Sequence, residues 1–123
     1  MSALLNFLDP NSITQDIMLH PAWHGEMRGL QAEKRLRGKK TPYLYLLRAG
    51  ETTSENETDY YVTFVLPDLS IKHQAFIITT TPEGWYFENG NVGGPYQRES
   101  IEDVLHLMMH CRKGECVPLP KIG

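Results

Sequence analysis

The sequence predicts an α+β domain in which a central antiparallel β-sheet is sandwiched between two α-helices. Three observations carry that expectation. Runs rich in aromatic and β-branched residues recur at 43–48, 60–66 and 71–78, each of strand length and bounded by turn residues. Pro67-Asp68 separates the second run from the third at hairpin distance, so neighbouring strands are expected to run antiparallel. Helical apolar spacing precedes the strands at Leu30 to Arg37 and follows them from Ser100 onward. At 123 residues, with 41% hydrophobic and 22% charged content, the chain reads as one globular domain with a single core.

Residues 1–20 read as an N-terminal extension to a domain spanning 21–120. Ala3-Leu4-Leu5 with Phe7-Leu8 suits a short helical pair of turns that Asp9-Pro10 breaks. Ile13, Ile17 and Met18 then recur at helical spacing, so the extension is expected to pack on the domain. In the first domain helix Leu30, Glu33 and Leu36 share a face, Gly38 closes the C-terminal end, and the basic last turns suit the helix dipole. After the third strand, 79–84 reads as a turn, Trp85-Tyr86-Phe87 as a short strand, and 89–95 as a flexible glycine-rich loop. Ser100 is placed to cap the second helix, with Asp103 three residues on completing a capping box. Ile101, Val104, Leu105, Met108 and Cys111 form the apolar stripe that packs this helix on the sheet.

Charge narrows the function. A net charge of −3 and a pI near 5.9 argue against a nucleic-acid partner, which requires a positive excess. No stretch approaches the roughly 18 consecutive apolar residues of a membrane helix, and the N-terminus lacks a positive region followed by an apolar one. A cytoplasmic, reducing setting is therefore expected. Cys111 and Cys116 are spaced to form a disulfide, but in that setting both are expected to be free. Locally, Arg28, Lys34, Arg35, Arg37, Lys39, Lys40 and Arg48 oppose Glu33 alone. Lys34, Arg37 and Lys39 read as a solvated helix face. Glu51, Glu55, Glu57 and Asp59 follow as an acidic loop.

Arg48 stands apart, because it continues the run Tyr43-Leu44-Tyr45-Leu46-Leu47, apolar on both faces as in a covered central strand. Strand alternation puts Leu44, Leu46 and Arg48 on one face and Tyr45 and Leu47 on the other. A guanidinium in that position is partly buried and calls for an anion. An internal carboxylate, Glu51 or Asp59, would satisfy it, and so would a ligand phosphate held in its two-pronged fork. Such charge-assisted bonds are worth on the order of 1.5–3 kcal/mol each.

Trp23-His24-Gly25, Ala32-Glu33, Tyr45-Leu46-Leu47-Arg48, Ile71-Lys72-His73 and Ser100-Ile101-Glu102-Asp103-Val104-Leu105 follow one another in an order that resembles a Src homology 2 (SH2) domain, over about residues 20 to 120. The resemblance implies a phosphotyrosine-peptide binding module, not an enzyme, acting as an adaptor in signalling. It implies that Arg48 grips the phosphate at the floor of a pocket whose depth selects phosphotyrosine, and that Thr52, Thr53 and Ser54 cap the phosphate with hydroxyls and backbone N–H groups. His73 would flank the phosphotyrosine ring, with Lys72 turned to solvent or the peptide side. The partners implied are tyrosine-phosphorylated proteins or peptides, with no cofactor, and the chain is expected to be a monomer.

The chain departs from the family pattern at three places. The arginine usually found four residues after the His-Gly glycine is Gly29, and Arg28, one residue early, is carried as the candidate second phosphate arginine. The usual serine two after the strand arginine is Gly50, and the usual basic residue two after the strand histidine is Ala75. A long glycine-rich loop before the second helix and the short Arg112-Lys113-Gly114-Glu115 after it imply loose peptide selectivity. Such departures suit a divergent member, including the SH2-like domains of intracellular bacterial effectors, which would place it in the host cytosol. Two rival readings use the same residues. One keeps the fold as a scaffold, or as a reader of phosphoserine or phosphothreonine, and the other assigns a zinc-dependent enzyme to His106, His110, Cys111 and Cys116.

Overall fold

The structure is a computed structural model that describes residues 12–121 apart from Thr53, Asn91 and Glu99, with backbone alone described at Glu51 and Thr52. The turns expected at Ala3 to Leu8 lie outside the described residues. In chain order the elements are α1 (Ser12–Met18), α2 (Gly29–Leu36), β1 (Leu44–Thr52), β2 (Glu57–Val65), β3 (Ile71–Thr81), β4 (Gly84–Asn89), β5 (Gly93–Gln97), α3 (Ile101–Met109) and β6 (Val117–Pro118). The class is α+β, with three helices and one sheet of order β5-β4-β3-β2-β1-β6 among the described residues.

The sheet is mixed where a purely antiparallel one was expected. β1 through β5 pair antiparallel, but β6 lies parallel to β1, with Leu44 opposite Val117. The reason is the outer edge of β1, whose backbone groups need partners. Val117 N–H donates to Tyr43 O at 2.9 Å and Leu119 N–H to Tyr45 O at 2.8 Å. Farther along the same edge Leu47 N–H donates to Ala22 O, His24 N–H to Leu47 O and Ala49 N–H to Gly25 O, each at 2.8 Å. Two short segments from opposite ends of the chain thus close one edge.

The loop expected at 89–95 is partly strand β5. Its glycines read as flexibility, yet a Cβ on Gly94 would come within 2.7 Å of Glu88 Cβ and 2.8 Å of Phe87 O. Glycine is present there because two strands approach that closely.

Strand alternation sorts the core into two clusters. Tyr45, Leu47, Val62, Phe64, Phe76, Ile78 and Phe87 pack with Val104, Leu105 and Met108 of α3 and with Ile13 and Ile17 of α1. Leu44, Leu46 and Val65 pack with Ala32 and Leu36 of α2. The third helix arises because Ile13 and Ile17, one turn apart, are both fully buried, whereas Met18 is exposed. Ser100 caps α3 as its sequence implies, its Oγ accepting from Asp103 N–H at 3.3 Å.

Beyond α3, Cys111 and Cys116 are joined as a disulfide, with Cα atoms 6.0 Å apart, where free thiols were expected. The tight turn between them, in which Glu115 N–H donates to Arg112 O at 2.9 Å, brings the two side chains together. No helix among the described residues is long and apolar enough to cross a membrane.

His24 ties three segments to this frame. Its Nε2–H donates to Leu119 O at 2.8 Å, and Nδ1 accepts from Arg35 Nη1 at 2.6 Å, which requires a neutral ring. Burial first, with Arg35 and Lys121 adding, lowers its pKa below the ordinary 6.5, while the Leu119 carbonyl opposes the shift.

Phe76→Ala is expected to destabilise the fold by about 3–5 kcal/mol, and Leu30→Ala, at an exposed position, by less than about 0.5 kcal/mol, both read from urea midpoints. Because the unfolded chain takes up a proton at His24 before the folded one does, stability is complete above about pH 6.5 and falls as pH drops through the lower folded value. The urea midpoint of the native chain should therefore fall between pH 7 and pH 5 (both about) more than that of His24→Gln; equal declines would show that His24 is not the titrating group.

Candidate functional site

Register across three strands builds the surroundings of Arg48. Arg48 lies opposite Tyr61, Leu46 opposite Thr63, and Thr63 opposite His73, so all four polar residues, Arg48, Tyr61, Thr63 and His73, share the face that α2 covers. Arg48 is 7% exposed. Its Nε donates to Thr63 Oγ1 at 3.1 Å, Nη1 to Met27 O at 3.3 Å, and Nη2 to His73 Nδ1 at 3.3 Å. The guanidinium carbon stands 4.4 Å from the Tyr61 ring centre, a cation–π contact.

Every one of these partners is neutral. Among the described residues no carboxylate pairs with Arg48, so neither expected internal partner is seen bound to it: Asp59 makes no such pair, and the Glu51 side chain lies outside the described residues. Loss of hydration pushes the Arg48 pKa below its usual value, with Tyr61 opposing; an arginine nevertheless stays charged.

His73 links this cation to a more distant acid. An arginine can only donate, so Nδ1 accepts from Arg48 and from Thr63 Oγ1, at 3.0 Å, and Nε2 carries the hydrogen that Glu33 Oε1 accepts at 2.7 Å. That bond, before any other cause, holds the Glu33 carboxyl below its ordinary pKa.

Arg48 opens into a cavity of about 540 Å³ lined by Met27, Arg28, Gly29, Ala49, Gly50, Asp59 and Tyr61 besides itself. Arg28 reaches this wall from the residue before α2, where its backbone N–H donates to Gln31 Oε1 at 3.2 Å. Gly29 sits over the guanidinium, and a Cβ there would fall 3.5 Å from Arg48 Nη2. Gly50 cannot be serine in this arrangement, because a Cβ would meet Asp59 O at 2.5 Å across the β1–β2 ladder. Asp59 Oδ1 is buried and unpaired among the described residues, as is Gln74 Oε1 on the other face.

The remaining candidates sort as follows. Ser54 is exposed and its Oγ accepts from Asn56 and Glu57 N–H at 3.3 and 3.2 Å, which holds its own turn instead of lining the cavity. Thr53 and the Thr52 side chain lie outside the described residues. Lys72 is exposed and points to the face opposite His73. Thr63, Glu33 and Tyr61 were not singled out as site residues, although Tyr61 and Thr63 alternate on β2 at the spacing that follows the Arg48 face. The zinc grouping does not assemble: among the described residues no three His, Cys, Asp or Glu side chains converge, and the two sulfurs bond each other.

Compared with known proteins, the chain matches no family model and no curated protein.

Thr63→Val removes the hydroxyl between Arg48 and His73 and leaves the buried Arg48 Nε–H without its acceptor. It is expected to destabilise the fold by about 1–3 kcal/mol in urea unfolding, whereas Ser54→Ala, on an exposed turn, should change stability by less than about 0.5 kcal/mol.

Proposed function

We propose that this chain is a non-catalytic, SH2-like module that binds phosphotyrosine peptides, its sheet serving as the layer between α2 on one face and α3 on the other. The observation that carries the reading is Arg48: a buried guanidinium, held by neutral groups alone among the described residues, lining an open cavity. A cation in that state has lost hydration without gaining an anion, and a phosphate dianion entering the cavity would supply one.

Arg48 accepts the phosphate through whichever of its N–H groups the ligand draws from Met27 O and His73. Tyr61 fixes the plane of the guanidinium from one side, and Arg28 at the rim adds a second cation. Depth favours a phosphate carried on a ring over one carried on serine. Asp59 works against this, since it adds negative charge to the wall. Selectivity for neighbouring peptide residues is loose, because β5 is exposed along its length and the turn after α3 is drawn short by the Cys111–Cys116 bond. The role that follows is adaptor recognition of tyrosine-phosphorylated partners.

Calorimetric titration with one tyrosine peptide, phosphorylated and not, tests the reading. Only the phosphorylated form should bind, and Arg48→Ala should weaken it by about a hundredfold or more, the loss of two charge-assisted bonds. Asp59→Asn should tighten it. Equal binding of both peptides, or stronger binding of a phosphoserine peptide, would exclude phosphotyrosine recognition.

A further inference from the structure

The basic residues of α2 and its following turn do more than face solvent. Lys34, Arg35, Arg37 and Lys39 meet Lys121 from the C-terminal segment around a second cavity of about 400 Å³, and among the described residues no carboxylate lines it. Its lining shares no residue with the Arg48 cavity. The two open at opposite ends of α2, the first beside Arg28 and Gly29 and the second beside Lys34 to Arg37.

Like charges brought onto one cavity repel, and the fold contributes specific contacts that keep them there. Arg35 is anchored from beneath by His24, which is 4% exposed and gives it a neutral acceptor at 2.6 Å. Lys121 is delivered by the segment that His24 pins through Leu119 O. Arg37 touches Glu33 only weakly, at 3.5 Å with both groups partly exposed, and Glu33 is already held by His73. The negative end of the α2 dipole opposes an anion here, but it amounts to about half a charge against five cations.

We propose that this cavity is a second anion site, which takes a compact polyanion bearing several phosphate groups, of the inositol polyphosphate class, either free or as the headgroup of a membrane lipid. Its volume lies in the range of small-ligand sites and is too small for a nucleic-acid duplex. Five cations from two stretches of chain, 34–39 and the segment that carries Lys121, suit several phosphates at once, where a single phosphate would engage only two or three. The inference stands independently of phosphotyrosine recognition at Arg48.

The first experiment is calorimetric titration with inositol hexakisphosphate at low and moderate salt. Binding should weaken as salt rises, and Lys34→Ala and Lys121→Ala, both at exposed positions where folding is not at risk, should each reduce affinity by about tenfold. Neither substitution should change phosphopeptide affinity. Flotation with phosphatidylcholine vesicles, with and without phosphatidylinositol bisphosphate, separates the sources: co-flotation with the charged vesicles assigns the lipid headgroup, and binding of the soluble probe alone assigns a free polyanion. Absence of binding to both would overturn the proposal. So would binding that survives Lys34→Ala and Lys121→Ala together yet is lost in Arg48→Ala, since the probe would then occupy the other cavity.

Discussion

A guanidinium taken out of water must recover its lost hydration from the groups around it, and a dedicated polar network does this for Arg48. Thr63, the Met27 carbonyl, His73 and the Tyr61 ring surround it, and they come from β2, β3 and the approach to α2. Each supplies a dipole or a π face, not a charge. Glu33 is the acid that this network reaches, but the imidazole of His73 stands between it and the cation. A direct carboxylate would balance the charge of Arg48. Interposing a neutral ring satisfies one N–H while leaving the charge unbalanced.

That arrangement depends in turn on β1 being a covered interior strand. Its inner edge pairs with β2, and its outer edge is closed by residues 22–25 on one half and 117–119 on the other. The covering segments also lead to the two cavities. The stretch after Gly25 leads into Met27, Arg28 and Gly29 at the first cavity, and the stretch after Pro118 leads to Lys121 at the second. α2 bridges the two, burying Ala32 and Leu36 and holding a cation group at each end. The basic zone of an otherwise acidic chain is thereby divided between two cavities, one lined by Arg28 and the buried Arg48 and one where Lys34, Arg35, Arg37 and Lys39 meet Lys121.

Much of this organisation can be read from residues alone. The three long strands, α2 and α3 follow from periodicity and capping, which are local and need no partner to be visible. Arg48 is legible because a charge in line with a run apolar on both faces has few physical explanations. β5 and β6 are not legible: Gly-Gly-Pro carries poor strand propensity and Val-Pro is only two residues long and ends in proline, and they pair because β4 and β1 present open edges to them. The Cys111–Cys116 bond was permitted by spacing, and the turn geometry after α3 selected it.

The sites divide along the same line. By itself the sequence determined which positions alternate, which face Arg48 takes on its strand, and that positive charge concentrates between residues 28 and 48. The tertiary structure alone decided that Thr63 and His73 would meet Arg48, that Glu33 would be kept one ring away, and that Lys121 would join Lys34 and Arg35. The physical reason is register. Pairing between strands and the return of the C-terminal segment along β1 are set by burial and backbone hydrogen bonding summed over the whole sheet, so residues far apart in the chain become neighbours without any local signal of it.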